Sequence, residues 1–236
     1  MRTLKRADAP ILQMRRGGTV VLGPAEAIER AHAEYVRLCC LRLPQLLEPE
    51  LWQFLQRELA QARFEAQTYE RIGSELCMVP GTVDFLLNLV SNDAGFLELI
   101  RQITGCDAIR SFLGRVYRLT PGEGHGTTWH NDLMTGTRLV AMSVNLSPEA
   151  YCGGTLQLRD PRSNRILQEL ANTGPGDAIL FRIGSDLQHR VTPVNGTVPK
   201  SAYAGWFQSE NVGRSTFGET ANTAPEEEGR AAAGRP

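Results

Sequence analysis

Apolar residues recur at helical spacing in the first half of the chain and at strand spacing in the second. The clearest helix is Glu48 to Phe64, where Leu51, Phe54, Leu55, Leu59 and Ala62 fall on one face and Pro49 suits the first turn. Shorter helices are predicted over Pro24 to Glu34, Pro80 to Leu89 and Asp93 to Ile103. Asp93 is placed to cap the last of these and Gly105 to stop it. Val36 to Leu43 reads as a first strand ended by Pro44. Ala66 to Val79 is polar and without a period, so it reads as a loop, either in solvent or as a lid over a site.

From Asp107 onward the pattern is that of strands. The predicted segments are Ile109 to Leu119, Arg138 to Leu146, Thr155 to Leu158, Ile166 to Leu170, Ala178 to Phe181, His189 to Pro193 and Ser201 to Gln208. Turn-forming stretches separate them, such as Pro121 to Gly126. Many short strands with such turns predict a mainly β fold, a jelly-roll sandwich with N-terminal helices. Residues 1–24 are basic and without a period, which suggests an arm or an irregular cover. Residues 25–210 are expected to form the domain, with its β core at about 107–208, and residues 211–236 to form a disordered tail.

Composition narrows the function. The chain has 236 residues, 42% hydrophobic and 22% charged, as expected of one globular domain. A formal net charge of −1 gives no electrostatic case for nucleic acid or an anionic membrane. Five cysteines, with no CxxC, suggest neither a disulfide framework nor a zinc site. Buried free thiols in a reducing cytoplasm are the expectation. Arg15-Arg16 invites a twin-arginine export reading, but the run Gly17 to Gly23 is too short to support it.

The candidate chemistry centres on Thr127-Thr128-Trp129-His130-Asn131-Asp132. If this stretch is a strand, His130 and Asp132 share a face with Cα atoms about 6.5 Å apart, close enough to converge on one metal ion. The chain has four histidines, and His189 lies at the end of another strand-like run. Two histidines and a carboxylate, with coordination positions left open, suit non-haem Fe(II) and oxygen chemistry.

His130-x-Asp132, then His189, then Lys200 resembles the Fe(II)/2-oxoglutarate-dependent dioxygenases, and within them the prolyl 4-hydroxylase-like branch. Gly153-Gly154-Thr155-Leu156, Pro175-Gly176-Asp177, His189 to Val194 and Gly205-Trp206-Phe207 follow in that family's order. The resemblance covers roughly Ile109 to Phe207. It implies a double-stranded β-helix, cupin-like and backed by helices. It also implies Fe(II) on His130, Asp132 and His189, with 2-oxoglutarate and O₂ as cosubstrates and ascorbate as an optional reductant. Lys200 would hold the distal carboxylate of 2-oxoglutarate, and Tyr117 would reach the same molecule. The implied reaction hydroxylates an unactivated C–H of a peptidyl or free amino acid, proline-like first, or of a small natural product. It is coupled to conversion of 2-oxoglutarate into succinate and CO₂. Thr192 and Asn145 are expected to line the barrel. His125 is expected at the surface or facing substrate, and Trp129, Asn131, Met134 and Arg115 near it. The alternatives are a non-enzymatic cupin-like binding domain and a zinc hydrolase on the same three residues.

Overall fold

Two antiparallel sheets face each other, and helices cover the outer side of the larger one. The structure is a computed structural model that describes residues 9–69, 73–122, 124–133 and 136–211. The chain opens with a hairpin of β1 (Leu12–Arg15) and β2 (Gly18–Val21), then α1 (Ala25–Leu38), β3 (Cys40–Leu43) and α2 (Pro49–Leu59). A second hairpin, β4 (Phe64–Tyr69) and β5 (Gly73–Met78), leads into α3 (Thr82–Ser91) and α4 (Ala94–Thr104). The remaining strands are β6 (Ser111–Leu119), β7 (Gly126–Thr127), β8 (Arg138–Asn145), β9 (Cys152–Gly153) and β10 (Leu156–Arg159). They continue with β11 (Ile166–Leu170), β12 (Ala178–Arg182), β13 (Gln188–Val191), β14 (Val194–Asn195) and β15 (Lys200–Gln208).

The larger sheet has the order β3-β12-β8-β15-β6-β5-β4, with β7 beside β5. The smaller has the order β11-β10-β13. Strand alternation divides the larger sheet into two faces. Val116, Val144, Leu180, Tyr203 and Phe207 join Leu51, Leu55, Leu87, Phe96 and Ile100 in the core beneath the helices. Ala141, Ile179 and Phe181 point the other way and meet Leu156, Leu158 and Leu170 of the smaller sheet. On β15 this leaves Lys200, Ala204 and Trp206 facing the space between the sheets, and that space is the cavity described below.

The expected helix caps form. Asp93 accepts a hydrogen bond from the Phe96 backbone N–H at 3.0 Å, and Gly105 takes φ 67° after α4. Other expectations need correction. The first strand starts later than expected, because α1 runs to Leu38 and turns at Cys39, which has φ 60°. Residues 12–21 form a hairpin rather than an irregular arm, and Leu12 and Met14 are core residues. The polar stretch 66–79 is the β4–β5 hairpin and not a loop. The cysteines are unpaired, but only Cys40 is buried, and Cys152 is exposed. Residues 212–236 of the expected tail, and Met134, lie outside the described residues.

Candidate active site

The HxD segment does not form the strand its spacing suggested. His130 makes a single antiparallel bridge with His189, exchanging both backbone hydrogen bonds at 3.1 and 2.8 Å. Residues paired in this way present their side chains on the same face, and the two imidazoles lie 4.2 Å apart, centroid to centroid. Asp132 then takes a left-handed conformation, φ 58°, which turns its carboxylate back onto both rings. Its Oδ2 is 3.1 Å from His189 Nε2, and its Oδ1 is 3.7 Å from His130 Nε2. The three ligand atoms lie within 4.8 Å of one another.

The surroundings favour metal binding. His130 Nδ1 is 2.7 Å from the Thr128 carbonyl, a contact it can make only as a donor, so the Nε2 lone pair is free for a metal. Burial, with the charge of His189, pushes the His130 pKa down. Burial works to raise the Asp132 pKa. The hydrogen bond and charge of His189, the charge of His130 and the Trp206 N–H outweigh it and hold the carboxylate ionised. Trp206 Nε1 donates to Asp132 Oδ2 at 2.8 Å, and Arg138 stacks 3.6 Å from the Trp206 ring centroid. Two imidazole nitrogens and one fixed carboxylate fit a divalent ion with open positions.

The cavity, about 110 Å³, extends from these residues along the inner face of the larger sheet to Lys200. Lys200 is 3% exposed, and its Nζ donates to the Gly154 carbonyl at 2.8 Å. It makes no ion pair among the described residues. Burial pushes its pKa down to about 8, against a weaker upward pull from Glu75. A buried ammonium without a carboxylate partner, facing a cavity, is suited to an anionic ligand. Tyr117 also lines the cavity, and burial pushes its hydroxyl pKa above the ordinary range.

Several residues stand elsewhere than expected. His125 is buried and accepts a hydrogen bond from the Thr120 backbone N–H at 2.9 Å, so it braces the turn instead of facing substrate. Asn145 does not line the cavity. Its side chain bridges the Gly174 carbonyl and the Ser147 N–H. Thr192 accepts from the Thr155 N–H and joins two loops. Trp129 lies between Arg159 and Arg190, whose guanidinium carbons are 4.3 and 4.6 Å from its ring centroid. Gln157 and Gln188, which bind these arginines, alternate with the inward-facing Leu156, Leu158 and His189 on β10 and β13. Trp129 therefore rests on the outer face of the smaller sheet. Glu75, Arg138, Asn172 and the role of Trp206 escaped the sequence reading. Of these, only Trp206 had a signal there, as part of the Gly205-Trp206-Phe207 motif.

Residues 114–208 match the sequence model of the 2OG-Fe(II) oxygenase superfamily. This segment is a 2OG-Fe(II) oxygenase domain. The fold agrees. An oxidoreductase of the 2OG-Fe(II) oxygenase family from Burkholderia pseudomallei superposes with TM-score 0.61 at 16% identity, over 78% of this chain and 92% of the other. A Pseudomonas putida prolyl-4-hydroxylase gives 0.59 at 16% identity, over 77% and 98%. A Trichoplax adhaerens prolyl hydroxylase, in complex with a hypoxia inducible factor peptide fragment, gives 0.54 at 16% identity, over 79% and 94%. A search of curated proteins finds no match. The matched segment and the His130–Asp132–His189 cluster make this an oxygenase domain that uses Fe(II), 2-oxoglutarate and O₂, on a fold shared with prolyl hydroxylases. Among the described residues, no helix is long and apolar enough to cross a membrane.

Proposed function

We propose that this oxygenase hydroxylates an unactivated C–H of a peptidyl or free amino acid, proline-like first, or of a small natural product. His130, Asp132 and His189 hold Fe(II) through His130 Nε2, His189 Nε2 and the Asp132 carboxylate, and Lys200 receives the distal carboxylate of 2-oxoglutarate. One observation carries the assignment. Three metal-type donors within 4.8 Å share a cavity with a buried ammonium that has no carboxylate partner among the described residues. When bound, the metal and 2-oxoglutarate would activate O₂, which is the oxidant, with 2-oxoglutarate itself oxidised to succinate and CO₂. The protein supplies position and dryness. Trp206 fixes one Asp132 oxygen, and the Thr128 carbonyl sets the His130 tautomer. Leu156, Ile179 and Phe181 keep the chamber apolar, and Tyr117 stands within reach of the cosubstrate. The likeness in fold to prolyl hydroxylases is the support for ranking proline-like substrates first, and the unpaired cysteines support a cytoplasmic setting.

The test is anaerobic titration of the apoprotein with Fe(II) and 2-oxoglutarate, followed by the weak visible charge-transfer band of the chelate. The band is expected in the wild type and lost in His189→Ala, and Lys200→Ala is expected to need far more 2-oxoglutarate. No band in the wild type at saturation would overturn the assignment.

A further inference from the structure

The cavity also holds a charged pair that neither the metal nor the cosubstrate assignment uses. Glu75 on β5 is 7% exposed, and Arg115 on β6, whose side chain is 39% exposed, pairs with it at the edge of the chamber. Arg115 Nε and Nη2 both donate to the same oxygen, Glu75 Oε1, at 3.0 and 2.5 Å, and Cys77 Sγ lies 3.5 Å from that oxygen. A guanidinium and a carboxylate normally pair through two parallel bonds, one to each oxygen. Here the pair is lopsided. Glu75 Oε2 and Arg115 Nη1 have no hydrogen-bond partner among the described residues, although both side chains border the cavity. The Arg115 guanidinium carbon is 5.0 Å from the Tyr69 ring centroid and 5.9 Å from that of Trp206, the indole bonded to Asp132. The spare donor and acceptor therefore stand one indole away from the His130–Asp132–His189 cluster.

Resting on the function proposed above, we infer that Glu75 and Arg115 anchor the molecule to be oxidised, and that it is a free α-amino acid. Its carboxylate takes Arg115 Nη1 and its ammonium takes Glu75 Oε2. The pair is neutral overall, and so is its ligand. A simple anion would face Glu75 and a simple cation would face Arg115, whereas a zwitterion satisfies both groups and leaves no buried charge unmatched. A residue inside a peptide carries amides in place of both charges, so it can hydrogen-bond to Arg115 and Glu75 but neutralises neither. The same Arg115 chemistry could serve the distal carboxylate of 2-oxoglutarate, and the experiment separates the two.

Protein loaded anaerobically with Fe(II) and 2-oxoglutarate is titrated with the free proteinogenic amino acids, L-proline first. Each is compared with its N-acetyl and C-terminal amide derivatives by calorimetry and by perturbation of the charge-transfer band. At least one free amino acid is expected to bind, with both blocked forms at least about tenfold weaker. Arg115→Met should weaken that amino acid at least about tenfold and change 2-oxoglutarate affinity less than about threefold. Glu75→Gln should abolish the discrimination against the N-acetyl form. The double variant Glu75→Gln/Arg115→Met leaves no lone buried charge, and it should retain 2-oxoglutarate binding and lose the amino acid. Any of three outcomes overturns the inference: the band forms but no free amino acid binds, blocked forms bind as well as free ones, or Arg115→Met loses 2-oxoglutarate instead. If the band never forms in the wild type, the failure lies with the function proposed above.

Discussion

Replacing Lys200 with methionine should stabilise the ligand-free protein near neutral pH while greatly weakening cosubstrate binding. Burial moves the Lys200 pKa from its ordinary 10.5 to about 8. Below about pH 8 the side chain is charged in both states, and folding carries the full cost of burying the ammonium. Between about 8 and 10.5 the unfolded chain keeps a proton that the folded protein has released, so stability rises with pH across that window. The gap corresponds to roughly 3 kcal/mol, at about 1.4 kcal/mol per tenfold change in proton affinity. Methionine avoids this cost at every pH but leaves the Gly154 carbonyl without its donor, a loss of about 1–3 kcal/mol. The expected net gain near neutrality is therefore about 1 kcal/mol. Urea denaturation of both proteins at several pH values, without metal or cosubstrate, measures it. Other titrating groups cancel in the difference between the two proteins, which should shift by roughly 3 kcal/mol in favour of the wild type between about pH 8 and 10.5. A difference that stays flat across that window would refute the reasoning, because Lys200 would then titrate as though exposed.

Trp206→Phe removes the N–H that fixes Asp132 Oδ2, and anaerobic Fe(II) titration should show about 10- to 100-fold weaker binding. Unchanged affinity would mean that Asp132 needs no such support. In Gly205→Ala the added Cβ would sit 2.0 Å from the Leu113 carbonyl oxygen, forcing β15 away from β6. Thermal denaturation should register a loss of about 3 kcal/mol or more. Burial pushes the Asp84 pKa up to about 6, so its ionisation costs stability as pH rises from about 4 through 6. Relative to the wild type, Asp84→Asn should gain roughly 1–2 kcal/mol between pH 4 and 7 in denaturant titrations, a figure reduced for partial exposure.

The helical half was legible in the sequence because its signals are local. Pro49 starts α2, and Asp93 and Gly105 bound α4, each through groups a few residues away. The alternation of β15 and the order His130, Asp132, His189, Lys200 were also readable, the first from side-chain period and the second from family resemblance. The β4–β5 hairpin was not, because both its faces are largely polar and its inward residues are a Glu and a Cys rather than an apolar stripe. His125 offered no local sign that it would be buried against a turn. The site itself was decided by tertiary structure. Equal spacing along a strand does not bring His130 and Asp132 together. The His130–His189 bridge and the left-handed turn at Asp132 do, and both depend on pairing between segments far apart in sequence. The Glu75–Arg115 pair is likewise a product of β5 lying against β6. Local spacing specifies which residues share a face, but only the folded sheets determine which faces meet.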